Sequence, residues 1–248
     1  MLLERSSWPE VAAYLEKSRG IILPIGSTEQ HGPTGLIGTD AICAEVVARG
    51  AGDVTGALVA PTIAFGMAQH HLAFPGSVAL RPTTLIAVLC DIVLSLARHG
   101  FTHFYFVNGH GGNIATLSAA FSEIYARRSL RLSGEDQALR CRLRNWWQGR
   151  ELREVVQELY GEAEGSHATP SEVALAAFAY PDAIKKAPLD PPVAPKKGGF
   201  TDAEDYRRNF PDGRIGSNPA LANPEDGRRL YELAVKAVAQ DYLEWLAK

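Results

Sequence analysis

Apolar residues fall into two patterns along the chain: short continuous runs, and longer stretches with helical spacing. The runs at 19–27 and 57–66 are apolar and end at Pro or Gly, which predicts buried strands. Aromatic and β-branched residues dominate a third run at 101–107, which precedes a glycine turn. A fourth strand is predicted at 138–147. The chain is therefore expected to build a sheet from these segments.

Between and after these runs, apolar residues recur every three or four positions, as in amphipathic helices. One such stretch begins with Pro82 and ends with Gly100, residues that favour the first and last positions of a helix. Predicted helices cover 39–52, 81–100, 113–129, 171–181 and 224–247. Strand, glycine turn and helix follow one another repeatedly, which predicts an α/β domain with a largely parallel sheet.

The segment from 188 to 224 is rich in Pro, Gly and charged residues and shows little periodicity. We interpret it as a long ordered excursion, because the helix predicted after it must still pack on the rest of the protein. There is no internal repeat. A single domain covering residues 1–248 is the simplest account of the chain.

Composition narrows the possible classes of protein. The chain has 248 residues, of which 46% are hydrophobic and 21% charged, as expected of a soluble globular protein. A net charge of −3 gives no electrostatic reason to expect a nucleic acid or an anionic membrane as partner. No apolar stretch is long enough for a transmembrane helix, and the N-terminus lacks signal-peptide features. A cytoplasmic location is expected.

The three cysteines, Cys43, Cys90 and Cys141, are far apart in the sequence. Cys43 and Cys90 lie in apolar helical patterns. We interpret all three as buried free thiols in a reducing compartment, because their spacing matches no disulfide framework.

Candidate chemistry begins in the loop "GSTEQHGPTGLIGTD" at residues 26–40. Glu29 and His31 follow the first predicted strand, and residues two apart in an extended segment project on the same side. Asp40 comes nine residues later, at the start of the next helix. In open α/β sheets ligands bind beyond the carboxyl ends of the strands, so these side chains are candidates for one site.

A second motif, "NGHGGN" at residues 108–113, places His110 after another predicted strand, at the same edge of the sheet. Two carboxylates and two imidazoles suit Zn²⁺ or Mn²⁺ better than a soft ion such as Cu(I). A carboxylate such as that of Asp40 can bridge two ions about 3.5 Å apart, as in two-metal hydrolases. The pattern indicates a metal site.

Each of these residues also has an ordinary structural interpretation. Taken alone, Glu29 is better interpreted as a solvated loop acid and Asp40 as a helix N-cap, whereas His110 is equally consistent with a hydrogen-bonded turn residue. "HGGN" invites a phosphate-loop or oxyanion-hole interpretation, but it lacks the glycine spacing of the nucleotide-binding motifs. From the residues alone, the metal site and these alternatives remain open.

Several segments together carry a resemblance to a known family. "LPIGSTEQHGPTGLIGTD", "FPGSVAL", "VNGHGGN" and "SHATPSEVAL" occur in the order and spacing of the creatininase (creatinine amidohydrolase) family. "FPDGRIGSNPALANPEDG" at 210–227 resembles a later segment of the same family. The similarity extends from Trp8 to the last predicted helix.

This resemblance implies a three-layer α/β/α sandwich that assembles as a homohexamer and holds two divalent ions, Zn and/or Mn, in each chain. One ion would take Glu29 and His110, the other would take His31, and Asp40 would bridge them. Glu172 is the expected further ligand, because it occupies the place of the last acid in the family's "HAGExETS" segment. The chain departs from that segment at Pro170, which stands where the family has its first acid.

The same resemblance suggests roles for further residues. His167 would be the general acid and base, with Glu172 beside it, although a histidine at a helix cap is the alternative. Ser77 and the amides of Gly111 and Gly112 are candidate substrate contacts. Trp146 would form an aromatic wall, unless it and Trp147 serve only in packing.

The adjacent histidines His70 and His71 fall in a loop that is variable in the family. They are expected to point to opposite sides, so that at most one lines the entrance of the site.

The family includes enzymes that open creatinine, remove formyl groups in flavin or deazaflavin biosynthesis, and cleave a peptide precursor of a redox cofactor. The predicted function is therefore metal-dependent hydrolysis of a C–N amide bond in a small molecule, by a hydroxide that bridges two metal ions. One alternative is a true creatininase, although "GEAEGSH" lacks the tryptophan expected before His167. An alternative of another class is a non-catalytic, metal-stabilised oligomeric scaffold.

Overall fold

The computed structural model describes residues 1–130, 138–196 and 198–248, without the side chain of Arg128. Within these residues a four-stranded parallel sheet has the order β2-β1-β3-β4. The strands are β1 (Gly20–Ile25), β2 (Leu58–Val59), β3 (His103–Asn108) and β4 (Arg140–Asn145). Ile25, Asn108 and Asn145 lie side by side in the register, so three strands end level at one edge of the sheet.

Helices cover both faces of this sheet. They are α1 (Trp8–Leu15), α2 (Thr39–Thr55), α3 (Pro82–Arg98), α4 (Asn113–Ser129), α5 (Arg150–Tyr160), α6 (Pro170–Ala179), α7 (Ala203–Asn209) and α8 (Pro224–Leu246). Successive strand residues point to opposite faces. Ile22 and Tyr105 pack against α2, α5, α6 and α8, whereas Phe104 and Phe106 pack against α3 and α4. The predicted three-layer α/β/α sandwich is thereby confirmed.

Several elements differ from the sequence prediction. The second predicted strand pairs in the sheet only at Leu58–Val59, because Pro61 lacks the N–H that a continuing ladder requires. Pairing resumes as a single bridge between Ile25 and Ile63. The helices α1 and α5 were not predicted, although the capping box of Ser7 and Glu10 marks the start of α1 in the sequence.

The segment 188–224 is an anchored excursion that contains α7. Its anchor is Arg214, which is 1% exposed and whose guanidinium donates hydrogen bonds to the backbone carbonyls of Pro191, Pro192 and Ser217. Asp212 supplies the opposite charge, 2.7 Å from the arginine. All of these partners lie within 188–224, so the buried arginine ties the excursion together internally. The hydroxyl of Ser217 connects it to the rest of the protein by donating to the carbonyl of His167 at 2.6 Å.

The three cysteines are free, as predicted. Cys43 and Cys90 are buried, but Cys141 is only half-buried. Among the described residues, no helix combines the length and the apolar character needed to cross a membrane.

We expect Leu89→Ala to lower the free energy of unfolding by about 2–5 kcal/mol, because Leu89 is fully buried between α3 and the sheet. Leu243→Ala in α8 is the matched control. Its side chain is 49% exposed, so the same truncation should change stability by no more than about 0.5 kcal/mol. Urea unfolding of the two variants measures the difference, and equal losses would contradict the placement of Leu89 in the core.

Candidate metal centre

The edge at which three strands end level carries the candidate metal ligands. Glu29 and His31 lie in the loop after β1, and His110 lies in the turn after β3. Asp40 sits in the first turn of α2, and Glu172 in the first turn of α6. The fold thus brings together all five residues that the sequence pointed to as metal ligands.

The alternative interpretation of Asp40 as the N-cap of α2 is wrong. Gly38 occupies the N-cap position, where its carbonyl accepts the amide of Ile42 at 2.9 Å, and no side chain caps the helix. Asp40 is therefore inside the first turn, where its carboxylate is directed at the two histidines rather than at backbone amides.

Two groups of ligands share the carboxylate of Asp40. In the first, His110 Nε2 lies 3.2 Å from Glu29 Oε2, and His110 Nδ1 lies 3.0 Å from Asp40 Oδ2. In the second, His31 Nε2 lies 3.0 Å from Asp40 Oδ1 and 3.9 Å from Glu172 Oε1. Within each group the nearest ligand atoms lie within 4.8 Å of one another, which is close enough to surround a single ion. The two oxygens of Asp40 thus face different groups.

The second group is prepared for a cation by its hydrogen bonding. The Nδ1 nitrogen of His31 lies 3.1 Å from the backbone carbonyl of Glu29, to which it donates. Its Nε2 nitrogen therefore faces Asp40 and Glu172, as is typical of a histidine oriented for metal binding.

Several of the carboxylate oxygens lack hydrogen-bond donors. Glu29 is 0% exposed and Asp40 is 3% exposed. Among the described residues, neither oxygen of Glu29 nor Oδ2 of Asp40 accepts a regular hydrogen bond. Buried charged oxygens without donors are costly unless a cation compensates them, and carboxylate–imidazole sets are what Zn²⁺ and Mn²⁺ take. The residues present therefore fit a pair of divalent ions.

The pKa values of the histidines reflect the same charge balance. Burial alone would lower the pKa of His31, but Asp40 and Glu172 outweigh it and raise this pKa to about 10. Burial likewise opposes the charged form of His110, yet Glu29 and Asp40 raise its pKa to about 9. The buried carboxylates thus demand positive charge at both histidines, which protons or metal ions can supply.

The carboxyl groups of Asp40 and Glu172 have pKa values shifted in opposite directions. Burial would raise the pKa of Asp40, but His31 and His110 hold it well below its usual range. For Glu172 burial dominates, and its pKa rises to about 7 although His31 opposes the rise. Asp40 is therefore the firmly ionised member, and Glu172 is the acid whose charge depends most on a cation nearby.

A layer of polar residues behind the ligands was missed by the sequence reasoning. His71 is 1% exposed, and its Nε2 lies 3.1 Å from Glu29 Oε1. The side chain of Gln30 lies between His71 and His167. Two features of the sequence could have indicated this layer. Gln30 stands between the candidate ligands Glu29 and His31, and two histidines are adjacent at 70–71.

The prediction that His70 and His71 point to opposite sides is wrong. Both line the cavity beside the ligands, and their ring centroids are 4.1 Å apart. The physical reason is that Gln69–His71 forms a 3₁₀ turn, in which neighbouring side chains do not alternate as they do in a strand.

A cavity of about 620 Å³ extends from the ligands to the surface. Trp146, one of the predicted contacts, lines it although the residue is 2% exposed, and its indole N–H finds no partner in the described part of the chain. Other residues that line the cavity are Gly111, Gly112, Trp147, Arg153, Glu164 and His167. Ser77 is not among them: its hydroxyl accepts the amide of Gln30 at 3.1 Å. The structure thus places Ser77 behind the ligand loop.

His167 lies next to Glu29, one of the candidate ligands, rather than at an exposed helix cap. Its Nδ1 is 3.8 Å from Glu29 Oε1, and its ring stacks on His71 with centroids 4.4 Å apart. Burial, together with the nearby His71 and His31, holds the pKa of His167 well below its usual range. The ring is therefore neutral, with one nitrogen free to accept a proton.

Known proteins share both this sequence and this architecture. The chain is 27% identical to the creatinine amidohydrolase of Pseudomonas putida over 244 residues, which cover 94% of this chain and 92% of that one. It is 39% identical over 106 residues to the mycofactocin precursor peptide peptidase of Mycolicibacterium smegmatis, a match that covers 40% of this chain and 42% of the relative. The matched part is thus less than half of that peptidase.

A solved structure described as "Creatininase Mn" superimposes with a TM-score of 0.83 at 25% identity, over 100% of this chain and 99% of the other. The sequence model of the creatininase family, described as creatinine amidohydrolase, matches residues 4–242. Since that match covers nearly every element of the fold and all five candidate ligands, the chain belongs to the creatininase family.

Proposed function

We propose that the protein is a metal-dependent amidohydrolase that cleaves a C–N amide bond in a small substrate. The observation that carries this proposal is the pair of buried carboxylate–histidine groups that share Asp40 at the inner end of a cavity. Family membership supports it, because the P. putida relative is a creatinine amidohydrolase and the M. smegmatis relative is a peptidase. Both names describe hydrolysis of a C–N bond.

The proposed ligands are Glu29 and His110 for one ion, His31 and Glu172 for the other, with Asp40 shared between them. Zn²⁺ and Mn²⁺ are the expected ions, given this donor set and the related structure described as a manganese form. When bound, such ions lower the pKa of a water molecule and polarise a carbonyl oxygen.

His167 is proposed as the group that handles protons during hydrolysis. A neutral imidazole at the cavity wall can accept a proton as the amide is attacked and return it to the leaving nitrogen. Glu172 is proposed to assist from the other side of the ligand cluster, as a ligand of the second ion. Both side chains line the cavity.

The volume of the cavity favours a substrate larger than creatinine. Its volume of about 620 Å³ lies in the range of about 300–1,000 Å³ used for drug-sized ligands, whereas creatinine is one small ring. The segment before His167 has no tryptophan, and Glu164 of that segment lines the cavity. We therefore favour a short peptide-like amide, with a formamide or a larger cyclic amide as the next candidates.

We also propose that the protein assembles as a homohexamer, that it is located in the cytoplasm, and that residues 1–248 form one domain. Substrate contacts by Trp146, Gly111 and Gly112 are also proposed, and they are supported by the position of these residues in the cavity wall.

His110→Ala should remove the ion held with Glu29 and abolish amide hydrolysis, because His110 contacts both Glu29 and Asp40. Elemental analysis after reconstitution is expected to fall from about two ions per chain to about one. His99→Ala, at an exposed histidine that ends α3, is the control and should retain both ions. Full activity in His110→Ala would refute the site. So would wild-type protein that never binds more than a trace of either metal.

After chelation, the protein should lose stability as the pH rises from about 6.5 through 9 to 10. The pKa values of His31 and His110 are raised in the fold, to about 10 and about 9, from about 6.5 in the unfolded chain. Their stabilising contribution is therefore complete below pH 6.5 and is lost through the folded pKa values. Thermal unfolding with EDTA, compared between wild type and His110→Ala, measures this effect. An identical pH dependence in the two proteins would contradict it.

A hydrolysis screen with added Mn²⁺ or Zn²⁺ tests the substrate. The panel contains short peptides, formamides, lactams and cyclic ureides, creatinine among them. We expect turnover of a peptide-like amide to exceed that of creatinine. Preferential turnover of creatinine would overturn the substrate class but keep the enzyme, whereas no hydrolysis by a fully metal-loaded protein would favour the scaffold.

A further inference from the structure

The side-chain amide of Gln30 sits between two histidines, and its orientation can be deduced from its neighbours. Gln30 is 4% exposed. Its Oε1 lies 2.8 Å from the backbone amide of Gly32, and an amide N–H can only donate. The other end of the side chain, Nε2, therefore faces His71 Nδ1 at 3.0 Å, His167 Nε2 at 2.9 Å and the carbonyl of Gly213 at 3.0 Å.

Counting hydrogens resolves which of these three contacts are hydrogen bonds. The Nε2 of Gln30 carries two hydrogens and has three neighbours. His167 Nε2 also lies 2.8 Å from the backbone carbonyl of Gln30, which can only accept. That nitrogen of His167 therefore carries the proton and donates it to the carbonyl. The two hydrogens of Gln30 then go to His71 Nδ1 and to the carbonyl of Gly213.

This arrangement determines the tautomer of His71. Because its Nδ1 accepts from Gln30, the ring carries its single proton on Nε2. That nitrogen lies 3.1 Å from Glu29 Oε1, a buried oxygen that accepts no regular hydrogen bond from the described residues. His71 thus presents an N–H to a proposed metal ligand, in the way that groups behind a metal site commonly orient the ligands.

The same arrangement determines the tautomer of His167. With the proton on Nε2, its Nδ1 carries a lone pair and faces Glu29 Oε1 at 3.8 Å. An unprotonated nitrogen on this side of the ring is the form that can take up a proton beside the ligand cluster. Stacking between His167 and His71, with ring planes 24° apart, keeps both rings in place.

We propose that Gln30 is a positioning residue that sets the tautomers of His71 and His167. Through His71 it directs an N–H to Glu29, and through its backbone carbonyl it leaves the Nδ1 of His167 free. The catalytic consequence rests on the proposed amidohydrolase function, but the tautomers and their effect on metal binding do not. Gln30 itself contacts neither group of ligands through its side chain.

Gln30→Glu tests the proposal, because it keeps the shape of the side chain and replaces the donor with an acceptor. In the zinc-loaded wild-type protein, ¹⁵N NMR of the imidazoles should show His71 and His167 protonated on Nε2. In the variant, His71 should gain a proton on Nδ1. The zinc dissociation constant should rise about 10–100-fold, as when groups behind metal ligands are altered. The kcat should fall more than KM changes.

Gln157→Glu is the matched control, since it makes the same chemical change at an exposed position on the wall of the same cavity. It should leave both tautomers and the zinc affinity as they are in the wild type. A wild-type spectrum with His71 protonated on Nδ1 would overturn the proposal. Unchanged tautomers in Gln30→Glu would do the same.

A second pair of variants keeps the proposal testable if Gln30→Glu fails to fold. His71→Gln retains an N–H donor near Glu29, whereas His71→Leu removes it. Zinc affinity should be closer to wild type in the first than in the second, and equal affinities would refute the role of the N–H. If the protein hydrolyses no amide, the NMR and zinc measurements still decide this proposal, so the two failures are distinguishable.

Discussion

The buried carboxylate of Asp40 is the constraint on which the rest of the site depends. An ionised acid that is 3% exposed needs cations close by, and Asp40 has a histidine on each of its oxygens. To bring it there, the first turn of α2 must press directly on the ends of β1 and β3. Gly26 and Gly109 allow this approach, because a Cβ atom at either position would collide with the backbone at Asp40 or Ala41.

Hydrogen bonds from asparagine side chains, rather than contacts between the candidate metal ligands, hold the turn that carries His110. The side-chain amide of Asn108 donates to the carbonyl of His110 at 2.6 Å and to Asn145 Oδ1 at 2.8 Å. Asn113 donates to the carbonyl of Gly26 at 2.9 Å and so connects this turn to the loop after β1. The motif "NGHGGN" thus contains its own scaffold, and this frees the imidazole of His110 to face the two carboxylates.

The sequence predicted correctly those features of the structure that depend on interactions between residues close together in the chain. The strands, most helices and the positions of Glu29, His31 and His110 at strand ends follow from periodicity and glycine turns. The errors arose where tertiary contacts override local preference: Asp40 is not a cap because its charge is used elsewhere, and His70 and His71 lie in a tight turn. Gln30 and His167 are 137 residues apart, so no periodicity could reveal their contact.

Glu172 has two roles: it completes the cap of its own helix, and it faces His31, which is distant in the sequence. Its carboxylate accepts the amide of Thr169 at 2.6 Å, and the Thr169 hydroxyl accepts the amide of Glu172, which completes a capping box for α6. Pro170 is then favoured at the first helical position, which explains why the acid expected there from the family pattern can be absent. The cap holds the carboxylate of Glu172 3.9 Å from His31 Nε2. A proposed ligand anchored to its own helix in this way would bind an ion with little further loss of side-chain freedom, because folding of α6 has already restricted its rotamers.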